Sequence, residues 1–221
     1  MQKVADIRAK FIQKYKDQDF VTDKTGVKTI ELIGESFIAD EDWIIRKPNY
    51  EYIERELEWY KSQSLYVDDI PGETPAIWKQ VASKHGRINS NYGHLIWSDE
   101  NYNQYANVLE ELHRNPNSRR AVMIYNRPSM HQDYCTDGMS DFVCTYDNTF
   151  MIRDNKLISH YLMRSNDAVF GYDNDVHWAM YVQKMLAQRL LVEVGDIIWT
   201  ATNLHVYERH FKFIEELMDA Q

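Results

Sequence analysis

The spacing of apolar residues changes half-way along the chain, and this change limits the possible folds more than any other feature. Four segments of the second half have the length of β-strands, and several are apolar on both faces: 121–125, 142–153, 157–163 and 196–200. Strands of this kind are typical of a sheet covered by other layers. The triplet Asp154-Asn155-Lys156 is a predicted hairpin turn between two of them.

Helical spacing dominates most of the remaining chain. The predicted helices cover residues 3–16, 51–63, 102–112, 175–191 and 204–218. One more strand is predicted at residues 27–33, ending at Gly34. The sequence therefore predicts an α/β (α+β) fold in which all 221 residues form a single domain, with a large mixed sheet flanked by helices.

Charge and cysteine content exclude several classes of protein. The formal net charge of −9 argues against a nucleic-acid partner, because proteins that bind phosphate backbones carry excess Lys and Arg. Two cysteines without C-x-x-C spacing indicate neither a disulfide framework nor a metal site. The chain has neither an apolar run long enough to span a membrane nor a secretory signal within residues 1–18. We therefore expect a cytoplasmic protein.

Cys144 lies within the segment Met139-Ser-Asp-Phe-Val-Cys-Thr-Tyr146. One interpretation is a buried, inert cysteine. The other is a nucleophile, which needs nearby cations to stabilise its thiolate. Four arginines occur in motifs close in sequence: Arg119, Arg120, Arg127 and Arg164. The pattern alone leaves both interpretations open.

Several polar residues outside this segment are candidates for a site. Glu56 lies on the apolar side of its predicted helix, either as an edge residue, which the pattern favours, or as a buried acid with a raised pKa. The pair Arg119-Arg120 suits a phosphate but is also common in a solvated turn. The run 164–167, Arg-Ser-Asn-Asp, combines a cation, a hydroxyl and an amide, as a phosphate or ribose site does. His205 and Tyr207 are partners for sugar hydroxyls, or two amphipathic side chains.

Taken together and in order, these motifs resemble the thymidylate synthase family. In the second half they are Cys144, Arg164-Ser165-x-Asp167-x-x-Phe170-Gly171, Gly195-Asp196-x-Ile198-Trp199 and His205-x-Tyr207. In the first half they are Asp23-Lys24-Thr25-Gly26, Glu56-Leu57-x-Trp59-Tyr60, Ile77-Trp78, Tyr92-Gly93 and Ser118-Arg119-Arg120. The resemblance extends over about residues 19–213.

The resemblance implies one-carbon transfer from 5,10-methylenetetrahydrofolate to C5 of a pyrimidine nucleotide. Cys144 would add to C6, because C5 is a poor nucleophile until C6 is saturated. Glu56 would organise water and proton transfer, and Tyr92 would lie near the C5 proton.

The same resemblance implies the binding residues. The nucleotide would be bound at its phosphate and ribose by Lys24, Arg164, Ser165, Asn166, His205 and Tyr207. The folate would contact Trp78, Asp167 and Gly171. Arg119 and Arg120 would reach the phosphate from the second subunit of a homodimer.

Asp175 occupies the position that decides the substrate. Thymidylate synthases have asparagine four residues after the glycine that corresponds to Gly171, and this chain has Asp175 there. A carboxylate accepts from the amino group of cytosine, and from N3 once N3 is protonated, so we expect dCMP instead of dUMP. Alignment of Asp173 or Asn174 is the alternative, and Asn174 would restore the amide.

The second step of the reaction decides the product. Hydride would give a methyl group and water a hydroxymethyl group. Thr145 follows the nucleophile where the family has histidine, which is compatible with attack by water. The expectation of 5-hydroxymethyl-dCMP is mainly what the resemblance implies. The alternatives are a thymidylate synthase, a dUMP or CMP hydroxymethylase, or a non-catalytic nucleotide- or RNA-binding relative.

Overall fold

The computed structural model describes residues 1–22 and 26–220 and contains the predicted mixed sheet. Its strands are β1 Gln2–Lys3, β2 Val21–Thr22, β3 Lys28–Ile38, β4 Val122–Ile124, β5 Thr145–Arg153, β6 Lys156–Met163, β7 Asn166–Asp167 and β8 Glu193–Tyr207. The order is β1-β3-β8-β6-β5-β4, with β2 on β3 and β7 on β8. The β6–β8 and β7–β8 pairs are parallel, whereas β3–β8, β4–β5 and β5–β6 are antiparallel.

Eight α-helices flank this sheet in the described part of the chain. They are α1 Val4–Lys16, α2 Tyr50–Ser62, α3 Ala76–Val81, α4 Tyr92–Trp97, α5 Gln104–Arg114, α6 Met130–Asp133, α7 Gly171–Leu190 and α8 Phe211–Asp219. Short 3-10 helices lie at Val67–Asp69, Asp99–Asn101, Thr136–Gly138 and Glu208–His210. None of the described helices is long and apolar enough to cross a bilayer. The predicted fold class is confirmed.

The longest helix, α7, lies against the centre of the sheet and carries Asp175 near its start. Its buried face includes Val176, Ala179, Val182 and Leu186, spaced three or four residues apart, and it packs against β6 and β8. This spacing buries one side of the helix along most of its length. The predicted start at residue 175 is four residues late, because α7 begins at Gly171.

The predicted hairpin between β5 and β6 is confirmed. Arg153 pairs with Lys156, and the two residues between them, Asp154 and Asn155, have φ angles of 49° and 61°. Asp and Asn tolerate this left-handed conformation, which a two-residue hairpin turn of type I′ requires.

Two predicted boundaries, in β8 and β3, are wrong. Residues 204–207 extend β8 and do not begin a helix, because Leu204 and Val206 pair with Leu32 and Ile30 of β3. Pairing with a neighbouring strand overrides the local helical spacing. Strand β3 also continues past Gly34, whose φ of 70° lets the strand change its core-facing positions without ending.

Helices α2 and α4 approach each other at Gly93, and this contact places Tyr92 beside α2. A Cβ atom at position 93 would lie 1.8 Å from the carbonyl oxygen of Tyr60. Such a distance is impossible without moving one of the two backbones.

We expect Gly93→Ala to lower the free energy of unfolding by about 3 kcal/mol, because the added methyl group forces α2 and α4 apart. The matched control is Gly34→Ala, whose added methyl group meets no atom within 4 Å and whose positive φ alone should cost about 1 kcal/mol. Urea unfolding of both variants measures the difference. Equal losses would contradict the close approach of α2 and α4.

Candidate active site

Cys144 ends an irregular segment immediately before β5, and Arg164 holds that segment in place. Arg164 follows β6 and donates from Nε to the Val143 carbonyl at 3.0 Å and from Nη2 to the Phe142 carbonyl at 2.5 Å. The same Nη2 lies 3.5 Å from the Cys144 Sγ. The structure therefore brings one of the four arginines considered from the sequence into contact with the sulfur.

A buried carboxylate, Asp141, anchors the same segment from the other side. Its Oδ2 accepts from the backbone N–H groups of Asn89 (2.7 Å) and Ser90 (2.8 Å), and its Oδ1 accepts from the Ser90 hydroxyl at 2.6 Å. Asn89 and Ser90 lie just before α4, so Asp141 connects the segment of Cys144 to the helix that carries Tyr92. Sequence analysis assigned Asp141 no role, although an acid within an apolar run was the available signal.

The sulfur of Cys144 is half-buried and protonated at neutral pH. Burial raises the pKa of Cys144 to about 11; the nearby Arg164 lowers that pKa, and Asp175 and Asp141 raise it further. In the protein without substrate the thiol is therefore the resting form, and Arg164 is the cation placed to stabilise a thiolate.

Asp175 is the fifth residue of α7 and is oriented by a chain of hydrogen bonds. The indole Nε1 of Trp199 donates to Oδ1 of Asn166 at 3.2 Å, which turns the amide Nδ2 of Asn166 towards Asp175 Oδ2 at 2.8 Å. The hydroxyl of Tyr92 donates to the same carboxyl group. Burial, followed by repulsion from Glu56, raises the pKa of Asp175 well above its ordinary value.

The two residues before Asp175 have different surroundings. The Asn174 amide donates to the Phe170 carbonyl of its own helix start at 3.0 Å. Asp173 is buried, its Oδ1 accepts from the Asn174 N–H, and burial raises the pKa of Asp173 to about 7. Of the three candidates for the base-reading position, Asp175 is the one whose charge acts on Cys144, since it raises the pKa of that thiol.

Glu56 is buried, with 4% of its surface exposed, so the edge position favoured from the sequence is wrong. Its Oε1 accepts from the Tyr52 hydroxyl at 2.6 Å and from the Trp78 indole N–H at 3.3 Å. Burial raises the pKa of Glu56 to about 7, although these hydrogen bonds lower it. Tyr52 was missed from the sequence, where its spacing of four residues from Glu56 on one helix was the signal.

Tyr92 begins α4 and is held on several sides. Its ring stacks on Tyr60 with centroids 5.3 Å apart and meets Tyr125 edge-on at 5.2 Å. Its hydroxyl accepts from Thr145 Oγ1 at 2.9 Å. Burial raises the pKa of Tyr92 well above its ordinary value, so the residue is a neutral phenol.

The remaining predicted residues of the second half lie on β7, β8 and the start of α7. Asp167 of β7 is paired with His205 of β8, whose ring meets Tyr207 edge-on at 4.8 Å. Burial lowers the pKa of His205. A Cβ at Gly171 would lie 3.3 Å from Asn166 Nδ2, so a larger residue there would crowd the amide that binds Asp175.

Comparison with known proteins decides the family. The sequence model for thymidylate synthase matches residues 10–221. The chain belongs to the thymidylate synthase family. It is 55% identical over 219 residues to the deoxycytidylate 5-hydroxymethyltransferases of Enterobacteria phages T4 and T2, covering 96% of this chain and 89% of each relative. It is 28% identical over 215 residues to the thymidylate synthase of Francisella philomiragia subsp. philomiragia, covering 90% and 78%.

Some residues that match the motifs of the thymidylate synthase family lie apart from Cys144 or outside the described structure. Arg119 and Arg120 are exposed, and Arg120 pairs with Glu111 of α5 at 3.2 Å. Lys24 lies outside the described residues. Ser165 is half-buried between Arg164 and Asn166.

We expect the alkylation of Cys144 by iodoacetamide to keep accelerating up to about pH 11 in a Cys135→Ser background, following its raised pKa. Asp141→Asn should shift this profile to lower pH, because an amide can replace the hydrogen bonds to residues 89–90 but removes a charge that raises the pKa of Cys144. Mass spectrometry of the alkylated peptide gives the rates. Asp137→Asn, an exposed change in the same region, is the control, and an equal shift in it would contradict the assignment.

Proposed function

We propose that this protein is a deoxycytidylate 5-hydroxymethyltransferase. It transfers a one-carbon unit from 5,10-methylenetetrahydrofolate to C5 of dCMP, and addition of water gives 5-hydroxymethyl-dCMP. The observation that carries the proposal is the position of Asp175, which presents a carboxyl group where thymidylate synthases have an amide and which raises the pKa of the nearby Cys144. The 55% identity to the T4 enzyme supports it.

Cys144 is the nucleophile in this proposal. Its thiolate adds to C6 of cytosine, which increases the electron density at C5. Arg164 Nη2, 3.5 Å from Sγ, stabilises the thiolate, and its contacts with the Phe142 and Val143 carbonyls keep the sulfur at a constant position.

Asp175 reads the base in its neutral form. A carboxylic acid has one donor and one acceptor along its edge, and cytosine presents the matching acceptor at N3 and donor at the amino group. Asn166 donates to Oδ2 of Asp175. Oδ2 is therefore the acceptor, and the acidic proton lies on Oδ1, which fixes the order of donor and acceptor. Uracil presents the reverse order, so a mismatch remains buried against it. Transfer of the Asp175 proton to N3 also helps the ring to accept electrons from Cys144.

Separate residues bind the phosphate and the sugar of the nucleotide. Arg164, Ser165 and Lys24 bind the phosphate, and Arg164 lines a cavity of about 310 Å³ together with Arg127. His205 and Tyr207 bind the sugar hydroxyl, and Asn166 orients Asp175 at the base.

The residues assigned to the folate fit a flat, polar ring system. Trp78 is half-buried and uses its indole N–H for Glu56 and Tyr52, which leaves its ring face as a stacking surface. Asp167 and Gly171 lie next to Asn166, close to the Asp175 carboxyl group. The folate supplies the one-carbon unit.

Glu56 directs the second step. With its pKa near 7, Glu56 exchanges protons at neutral pH and can accept one from a water molecule. Once tetrahydrofolate has left, this water adds to the exocyclic methylene at C5. Release of the Cys144 thiolate from C6 then restores the C5–C6 double bond and gives free 5-hydroxymethyl-dCMP.

A homodimer completes the site. The sheet face opposite the core keeps apolar side chains exposed, including Ile33 of β3 and Ile124 of β4. Burial of this face against a second copy would remove these side chains from water. Arg119 and Arg120, exposed in one subunit, would then reach the phosphate bound by the other.

We expect the enzyme to act in the cytoplasm of a phage-infected bacterium.

Wild-type protein should release tritium from C5 of dCMP and not from C5 of dUMP, with a discrimination of about 10⁴-fold. Asp175→Asn should lose activity on dCMP, because an amide has no acidic proton to transfer to N3 of cytosine. Cys144→Ser should abolish release while dCMP still binds. Mass spectrometry identifies the product, and a methylated nucleotide or turnover by Cys144→Ser would reject the proposal.

Mixing two inactive variants tests the shared site. A 1:1 mixture of Cys144→Ser and Arg119→Ala/Arg120→Ala subunits, after dissociation and reassociation, should recover about a quarter of wild-type activity, because half of the dimers contain one intact site. Re-folded mixtures of either variant with itself are the control. No recovery in a mixture that sedimentation shows to be dimeric would contradict the contribution across the interface.

A further inference from the structure

Thr145, the residue after the nucleophile, directs its side chain away from the sulfur and towards Tyr92. It begins β5, is completely buried, and its Oγ1 lies 2.9 Å from the Tyr92 hydroxyl and 3.2 Å from Met163 Sδ. A register shift in the β5–β6 pairing between Thr145 and Asp147 accompanies this orientation. The Thr145 hydroxyl therefore hydrogen-bonds inside the protein.

The hydrogen bonds at Tyr92 have a defined direction. The Thr145 hydroxyl has one proton and two acceptors within reach. The Tyr92 oxygen at 2.9 Å is nearer and a stronger acceptor than the Met163 sulfur at 3.2 Å, so Thr145 donates to Tyr92. The Tyr92 hydroxyl donates to Asp175. Because a phenol has a single proton, the donation from Thr145 leaves that proton for Asp175. The chain Thr145, Tyr92, Asp175 thus ends on the carboxyl group that reads the base.

We propose that Thr145 is a positioning residue that orients Tyr92 to pass the C5 proton of the substrate to Asp175. The proposal rests on the proposed function. Tyr92 would be the catalytic residue in this transfer, and Thr145 acts through it.

The transfer balances in protons and electrons. After C5 has bonded to the one-carbon unit, the C5–H bond breaks and its electron pair forms the C4–C5 double bond, which neutralises the amidinium at N3, C4 and N4. The proton moves to the Tyr92 oxygen while the Tyr92 hydroxyl proton moves to Asp175. Asp175 is a carboxylate at this stage because it has given its proton to N3.

Burial explains why a relay suits this site better than a free phenolate. The pKa of Tyr92 is well above its ordinary value because the residue is desolvated and lies near Asp175 and Cys144. A phenolate would be costly there, whereas simultaneous gain and loss of a proton keeps Tyr92 neutral throughout. The relay works only if the hydroxyl proton already points at Asp175, which is what the donation from Thr145 ensures.

The test compares Thr145→Val, which keeps the shape and removes the hydroxyl, with Thr145→Ser, which keeps the hydroxyl. With dCMP labelled at C5, we expect Thr145→Val to release the C5 hydrogen about tenfold more slowly and with a larger primary isotope effect. Thr145→Ser should recover most of the rate. The KM for dCMP and the alkylation rate of Cys144 should change little in either variant.

A Tyr92→Phe background separates the relay from a general packing effect. If Thr145 acts through the Tyr92 hydroxyl, Thr145→Val should have no further effect on C5 release once that hydroxyl is absent. Thr145→Ala replaces Thr145→Val if the latter does not fold. Equal rates in Thr145→Val and Thr145→Ser, or parallel losses of dCMP binding and C5 release, would overturn the proposal. Absence of C5 release by the wild-type protein would instead overturn the proposed function.

Discussion

The contact of Arg164 with the segment before β5 fixes the position of Cys144, on which the rest of the site depends. One guanidinium binds the carbonyl oxygens of Phe142 and Val143 and lies 3.5 Å from the Cys144 sulfur. The segment has no strand or helix of its own at this point, so side-chain contacts must satisfy its backbone. Asp141 supplies the second anchor, to residues 89–90 before α4. Together the two contacts place Cys144 relative to Tyr92.

Protonation of buried acids is the second feature of the site. Glu56, Asp173 and Asp175 all have pKa values raised chiefly by burial, and each repels at least one of the others. Such a group is stable as a neutral acid and can donate a proton at neutral pH. A neutral Asp175 matches cytosine better than a charged carboxylate would, because N3 of cytosine needs a donor. Burial also raises the pKa of Cys144, so its thiol is protonated in the protein without substrate.

Elements whose sequence period was regular were predicted well. The helix at residues 51–63, the β5–β6 hairpin and the mixed sheet all agree with the structure, since local spacing and turn residues suffice to specify them. The predicted helix at the end of β8 is wrong because Leu204 and Val206 pair with β3. Leu204 and its partner Leu32 are 172 positions apart, so no local pattern contains this contact. Glu56 was placed at an edge because its hydrogen-bond partner Trp78 lies 22 residues further along the chain.

The sequence by itself determined the residue types that the chemistry needs: a cysteine followed by an arginine-serine motif, and an aspartate where the family has asparagine. It also determined the fold class, because the apolar periods are local properties of the chain. Only the tertiary structure decided that Asp141 anchors the segment of Cys144, that Asn166 and Trp199 orient Asp175, and that Thr145 hydrogen-bonds to Tyr92. Burial, the direction of hydrogen bonds and the pKa shifts that follow arise from contacts between distant segments, which no local pattern encodes.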